Sequence, residues 1–118
     1  MANLPTMVTR AMIADRLKYE MRAKVIKALA HPSRLMMVDA LAEGEKCVCE
    51  LTELVGADIS TVSKHLSLMR YAGIVEHRKV GQQVYYRLRV PCIVQFFGCV
   101  EAVLREDQRA SEHLVSGI

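Results

Sequence analysis

Apolar residues recur at helical spacing through the first quarter of the chain. Met12, Ile13, Leu17, Met21, Val25, Ile26 and Leu29 fall close to a 3.6-residue period and predict a helix over about 8–30. The segment HPSRL breaks this run and restarts it. Pro32 suits the first turn of a second helix, where its missing N–H would have no partner in any case. Leu35, Met36, Val38 and Leu41 then supply a buried face that ends near Gly44. A short third helix follows over about 48–55, with Val48, Leu51, Leu54 and Val55 on one stripe and Gly56 as its stop. Asp58 is placed to cap a fourth helix, about 59–72, in which Ile59, Val62, Leu66 and Met69 face inward. Its outward residues are Ser60, Thr61, Ser63, Lys64, Ser67 and Arg70. After Gly73 the period changes from 3.6 to 2: IVEHRKVGQQVYYRL holds two β-prone runs around a glycine turn. In the second run Val84, Tyr86 and Leu88 alternate with Tyr85 and Arg87. Pro91 opens a last helix, about 91–110, with a wide apolar stripe of Ile93, Val94, Phe96, Phe97, Val100, Val103 and Leu104.

These elements describe a mainly α chain with a small β-hairpin. Helix, three-residue turn, helix and hairpin, in that order, is the winged helix-turn-helix arrangement: about five helices and a two-stranded wing. The 118 residues amount to one domain, since domains commonly run to roughly 100–150. Its DNA-binding core is expected over about 48–89. Of the 118 residues 52% are hydrophobic and none is Trp, so aliphatic side chains must build the core. The apolar surplus in the first and last helices, about 8–30 and 91–110, predicts a homodimer formed through them. No apolar run approaches the roughly 18 residues that a membrane helix needs. The opening MANLPTMVTRAMIADR carries polar residues where a signal peptide would be apolar. A cytoplasmic protein with no membrane partner is the expectation.

Charge sharpens the picture. The net +3 divides as eight basic against eight acidic residues over 1–58, six against one over 59–89, and two against four over 90–118. The positive charge therefore sits on the fourth helix and the hairpin, as expected if they meet a polyanion. Short hydroxyls at Ser60, Thr61 and Ser63 permit close approach to phosphates and base edges, and Lys64, His65 and Arg70 extend that face. Arg78, Lys79, Gln82 and Gln83, toward the wing tip, would meet backbone or minor groove. A single module buries little DNA surface, so a dimer reading two half-sites of double-stranded DNA is the natural assembly.

From about Leu17 to Leu88 the chain resembles the ArsR/SmtB family of small dimeric metalloregulatory repressors. ALAHPSRLMMVDAL is similar to that family's second-helix signature, STVSKHLSLMRYAGIV to its recognition helix and GQQVYYRL to its wing. The resemblance implies a winged-helix repressor that leaves its operator when an inducer binds. His31 departs from the family, which commonly has an acidic residue there, and reads as structural, a cap.

The four cysteines are Cys47, Cys49, Cys92 and Cys99. In a reducing compartment they are better read as ligands, catalytic thiols or core residues than as a disulfide framework. Cys47 and Cys49 are too close in sequence for an ordinary bridge with each other. Neighbours at i and i+2 diverge on a helix, a conflict that eases if Cys47 is the N-cap and Cys49 lies in the first turn, where both sulfurs can converge. Unpaired amides at a helix N-terminus favour the thiolate, although Glu45 and Glu50 oppose it. Soft thiolates select thiophilic ions.

CVCEL resembles the element by which the arsenite-sensing branch of the family binds As(III) or Sb(III), and one used by its cadmium/lead-sensing branch. The resemblance thus implies no required cofactor and an As(III) or Sb(III) inducer, with Cd(II), Pb(II) or another soft ion as the alternative. Thr52 stands where the arsenite branch has a third cysteine, and residues 1–46 contain none of the arm cysteines of the cadmium/lead form. The remaining candidates for a third ligand are Cys92 and Cys99, whose surroundings equally suit small core residues. The family's zinc site needs Asp and His, but the matching positions here are Val90, Pro91 and Cys92, and Glu112 and His113 are too isolated to replace them. A redox or persulfide switch is a further alternative, which the resemblance weakens: the family's persulfide sensors use a cysteine in the second helix, and residues 32–44 have none. An enzyme is not expected, because the chain has no anion-cradling loop and no Cys-x-x-Cys.

Overall fold

The computed structural model describes residues 10–116, with side-chain surroundings through residue 112. Five helices and three strands follow in the order α1 (Arg10–Leu29), α2 (Pro32–Leu41), β1 (Lys46–Cys47), α3 (Val48–Val55), α4 (Ile59–Tyr71), β2 (Val75–Val80), β3 (Gln83–Leu88) and α5 (Ile93–Ser116). Residues 8 and 9 of the expected first helix, and the surroundings of His113, fall outside the described residues. No helix among the described residues is long and apolar enough to cross a membrane.

The core lies where α2, α3 and α4 meet the sheet. Met37, Val38, Leu51, Val62, Leu66, Met69 and Val75 are fully buried, and Tyr86 and Leu88 close the β3 side. The face of α2 differs from expectation. Met37, Val38 and Leu41 point inward, while Leu35 and Met36 are 39% and 43% exposed. LMMV offers four consecutive apolar residues, so periodicity alone could not choose among them. Leu54 and Ile59 also face outward, at 45% and 60% exposure, because the inward positions of their short helices are filled by Leu51 and Val62.

The wing is a three-stranded sheet rather than a two-stranded hairpin, ordered β1-β3-β2. Lys46 and Cys47 pair antiparallel with Tyr86 and Tyr85, so the residues just before α3 are stitched to the wing. Two residues, Gly81 and Gln82, separate Val80 from its partner Gln83, and Gly81 supplies the positive φ of 62° that the tight turn needs. Pro91 sits in a turn ahead of α5, bridged by the Ile93 N–H to the Val90 carbonyl at 3.1 Å; the helix itself begins at Ile93.

The two longest helices stand away from this core. The radius of gyration is 19.7 Å, against about 13 Å for a compact domain of similar length. Met12, Ile13, Leu17 and Met21 of α1, and Phe96, Val100, Val103 and Leu104 of α5, are between 42% and 66% exposed. Among the described residues of α5, those of the first turns pack on the core, through Ile93, Val94 and Phe97.

Candidate nucleic-acid interface and thiol site

The helix-turn-helix is set by two caps. Gly56 ends α3 in the left-handed region, φ 75°, and its N–H donates to the Thr52 carbonyl at 3.0 Å. Asp58 opens α4, its carboxylate accepting from the Thr61 N–H at 2.9 Å and the Ser60 hydroxyl at 3.2 Å. Hydrogen bonding from the Thr61 side chain and N–H, and then from Ser60, holds the Asp58 carboxyl below its usual range. Part of the hydroxyl chemistry at the start of α4 thus serves the cap.

Ser60, Thr61, Ser63 and Lys64 lie on the exposed face of α4. The other two candidates on this helix are placed differently. His65 turns toward α2, with its ring 4.4 Å from that of His31 and its Nδ1 3.3 Å from Arg34 Nη1. A guanidinium only donates, so in this contact the imidazole is neutral with its proton on Nε2. Burial, then the charges of His31 and Arg34, push the His65 pKa down. Arg70 is half-buried, stacks over the Tyr71 ring at 5.0 Å and keeps its Nε buried without a hydrogen-bond partner among the described residues. His31 itself is the α2 cap, its Nδ1 accepting from the Ser33 N–H at 3.0 Å.

On the wing, Lys79, Gln82 and Gln83 are exposed at or beside the tip. Arg78 lies further back, opposite Tyr85, and is held by Glu45 through two short hydrogen bonds. It also stacks over the Tyr85 ring at 5.5 Å. Arg87 is paired with Glu76 at 2.6 Å. The basic stretch is therefore partly neutralised: among the described residues Arg78 and Arg87 are ion-paired, whereas Lys64, Arg70, Lys79 and Arg89 have no ion pair, and of these the two lysines are exposed on the recognition helix and the wing. The contacts of Glu45 with Arg78 and of Arg34 with His65 are not visible in the sequence: the partners are 33 and 31 residues apart, and no local pattern announces such contacts.

Cys47 is the N-cap of α3, in an extended conformation with φ −77° and ψ 159°. Its Sγ accepts from the Glu50 N–H at 3.3 Å, while the Glu50 carboxylate accepts from the Cys47 N–H at 3.0 Å. The two make a reciprocal capping box in which sulfur takes the place usually held by a hydroxyl. Cys49, in the first turn, is exposed, whereas Cys47 is 5% exposed. The sulfurs are joined in a disulfide, which corrects the expectation that the pair is too close to bridge. The extended cap gives a Cα–Cα distance of 5.3 Å, inside the ordinary span of roughly 4.4–6.8 Å. Cys49 Sγ also lies 3.7 Å from Gln83 Oε1 at the start of β3. Cys92 and Cys99 are exposed and unbridged. Among the described residues no three His, Cys, Asp or Glu side chains come together as a metal site, so one chain brings two sulfurs together and no third donor.

Caps, turn, recognition helix and wing define a winged helix-turn-helix DNA-binding protein. Residues 31–77 match the family described as "Bacterial regulatory protein, arsR family". The chain is 41% identical over 93 residues to the "Arsenic resistance transcriptional regulator ArsR1" of Pseudomonas putida, covering 78% of this chain and 70% of that one. It is 46% identical over 66 residues to the "Biofilm growth-associated repressor" of Xylella fastidiosa, covering 56% of this chain and 58% of that protein's length. Among solved structures, the homodimeric winged helix-turn-helix DNA-binding domain Mb0332 of Mycobacterium bovis superimposes with a TM-score of 0.70 at 29% identity. That match covers 93% of this chain and 95% of the other. The chain belongs to the ArsR family of bacterial regulatory proteins, DNA-binding transcriptional regulators and not enzymes.

Proposed function

We propose that the protein is a transcriptional repressor that binds operator DNA as a homodimer and releases it when a thiophilic inducer, As(III) or Sb(III), takes the thiols of Cys47 and Cys49. The observation that carries this reading is the convergence of both sulfurs on the cap of α3, the helix that positions the recognition helix. The dithiol is the receptive form: the inducer's bonds to sulfur replace the two S–H bonds. Sulfur that leaves the Glu50 N–H for a ligand weakens the cap, and β1 carries the change to β3 through the Cys47–Tyr85 pairing. A shift of α3 then reaches α4 through the three-residue turn. Release requires the inducer to bind the DNA-incompetent state more tightly, by couplings commonly of about 1–3 kcal/mol.

The name of the Pseudomonas relative supports arsenic as the inducer. A third donor, where the ion needs one, comes from Cys92 or Cys99 of a partner chain, from solvent or from an added thiol. The apolar faces of α1 and α5 form the dimer, in keeping with the homodimeric Mycobacterium domain. Ser60, Thr61, Ser63, Lys64, Lys79, Gln82 and Gln83 make the DNA contacts, with Arg70 and Arg78 at the margin and His65 acting through α2. The test is a DNA-release titration with As(III), Sb(III), Cd(II), Pb(II) and Hg(II), repeated with each cysteine changed singly to Ser. Release by As(III) or Sb(III) that needs Cys47 and Cys49 supports the reading. Release by Cd(II) or Pb(II) alone assigns the protein to the other soft-metal class.

A further inference from the structure

We propose that Cys47 and Cys49 form a reversible disulfide that keeps the regulator on DNA and makes it unresponsive to thiophilic ions, so that oxidation is a lock rather than a trigger. The proposal rests on the reading of this pair as the inducer site. With the disulfide closed, every contact that positions α4 is in place. Cys47 Sγ still accepts from the Glu50 N–H, and Cys47 remains paired with Tyr85. Gly56 and Asp58 still cap their helices. The oxidised chain therefore presents an intact helix-turn-helix and wing. At the same time the electrons that would bind an ion are held in the S–S bond, and no third sulfur lies near enough to form another site among the described residues.

The unequal exposure of the two cysteines fixes the order of the chemistry. Cys49 is exposed and Cys47 is 5% exposed. Hydrogen peroxide or an organic hydroperoxide is attacked by the Cys49 thiolate; its O–O bond breaks, giving a sulfenic acid and, after proton uptake, water or an alcohol. The Cys47 thiol then attacks the Cys49 sulfur, forming the S–S bond and expelling the sulfenic hydroxyl, which leaves with the Cys47 proton as water. Two electrons pass from the thiols to the peroxide. Burial of Cys47 keeps it out of direct contact with oxidant, and closure removes the sulfenic acid before further oxidation. Reduction runs through the same exposed residue: a small thiol attacks Cys49, and a second thiol resolves the mixed disulfide and regenerates both thiols.

The test uses the full chain, fully reduced in one sample and treated with hydrogen peroxide and desalted in the other. Mass mapping of the peptide containing Cys47 and Cys49 verifies loss of two hydrogens from that pair. Operator affinity is then measured with and without sodium arsenite. The oxidised protein is expected to bind DNA within about twofold of the reduced protein and to need more than about tenfold more arsenite for release, a shift within the range of ordinary allosteric couplings. A phosphine reductant, which adds no thiol, should restore the response. Loss of DNA binding on oxidation, or equal arsenite response in both forms, overturns the lock and leaves the inducer site standing. Absence of release even from the reduced protein is a different result, which overturns the inducer-site reading and the lock with it.

Discussion

The carboxylate of Glu45 and the guanidinium of Arg78 meet through two hydrogen bonds of 2.6 and 2.8 Å, tying the approach to α3 to the second strand of the wing. Hydrogen bonding to Arg78 is also what holds the Glu45 carboxyl below its ordinary range. This pair occupies one of the cations that the sequence assigns to DNA. Glu45→Gln should free it. The expected result is tighter binding to DNA of any sequence, with the slope of log affinity against log salt steeper by up to about one unit. Fluorescence anisotropy between low and moderate salt measures this, and an unchanged slope would place Arg78 away from the phosphates.

Lys64 and Lys79 provide the converse case. Each is exposed, one on α4 and one on the wing, and neither is neutralised by an ion pair among the described residues. Lys64→Ala and Lys79→Ala should each weaken binding to operator and non-operator DNA alike and reduce the salt slope by about one. Loss confined to operator DNA would mean that the side chain reads bases instead.

His65 links the recognition helix to α2, and its contacts predict a pH dependence. Burial and the neighbouring His31 and Arg34 depress its pKa in the fold, so the unfolded chain takes up the proton more readily. Stability is complete above the unfolded value of about 6.5. It falls as pH drops through that value and levels off below the folded-state pKa. Urea unfolding between pH 7.5 and 5 should show this decline, and His65→Gln should flatten it. An identical decline in the variant would assign the effect to another group.

Cys47 has two separable duties. As the cap of α3 it accepts a backbone hydrogen bond, a role that a hydroxyl fills well. Cys47→Ser should therefore retain stability and DNA binding while losing the inducer response, whereas Cys47→Ala should lose both the response and about 1 kcal/mol of stability. Equal denaturation midpoints for the two variants would show that the sulfur contributes nothing as a cap.

Much of this site was legible in the chain. The boundaries of α3, α4 and β3 follow from Gly56, Asp58 and the alternation of Val84, Tyr86 and Leu88, because caps and periods are local. His31 as a cap of α2 and Cys47 as the cap of α3 are local too. The third strand was not legible: Lys46 and Cys47 form a two-residue strand only because Tyr85 and Tyr86 lie beside them. The turn of His65 toward Arg34 and the pairing of Glu45 with Arg78 are likewise tertiary, as is the choice of Met37 over Met36 for the core. The Cys47–Cys49 bridge was misjudged from spacing, because the extended cap changes the distance that a helical or strand spacing would imply.

Whether Cys47 and Cys49 together receive the inducer is decided by titrating the reduced protein on operator DNA with sodium arsenite, beside a Cys47→Ser, Cys49→Ser double variant. The wild-type protein is expected to leave the operator and the variant to stay on it, still binding DNA with near wild-type affinity. Release of the variant at the same arsenite concentration would contradict that role for the two cysteines.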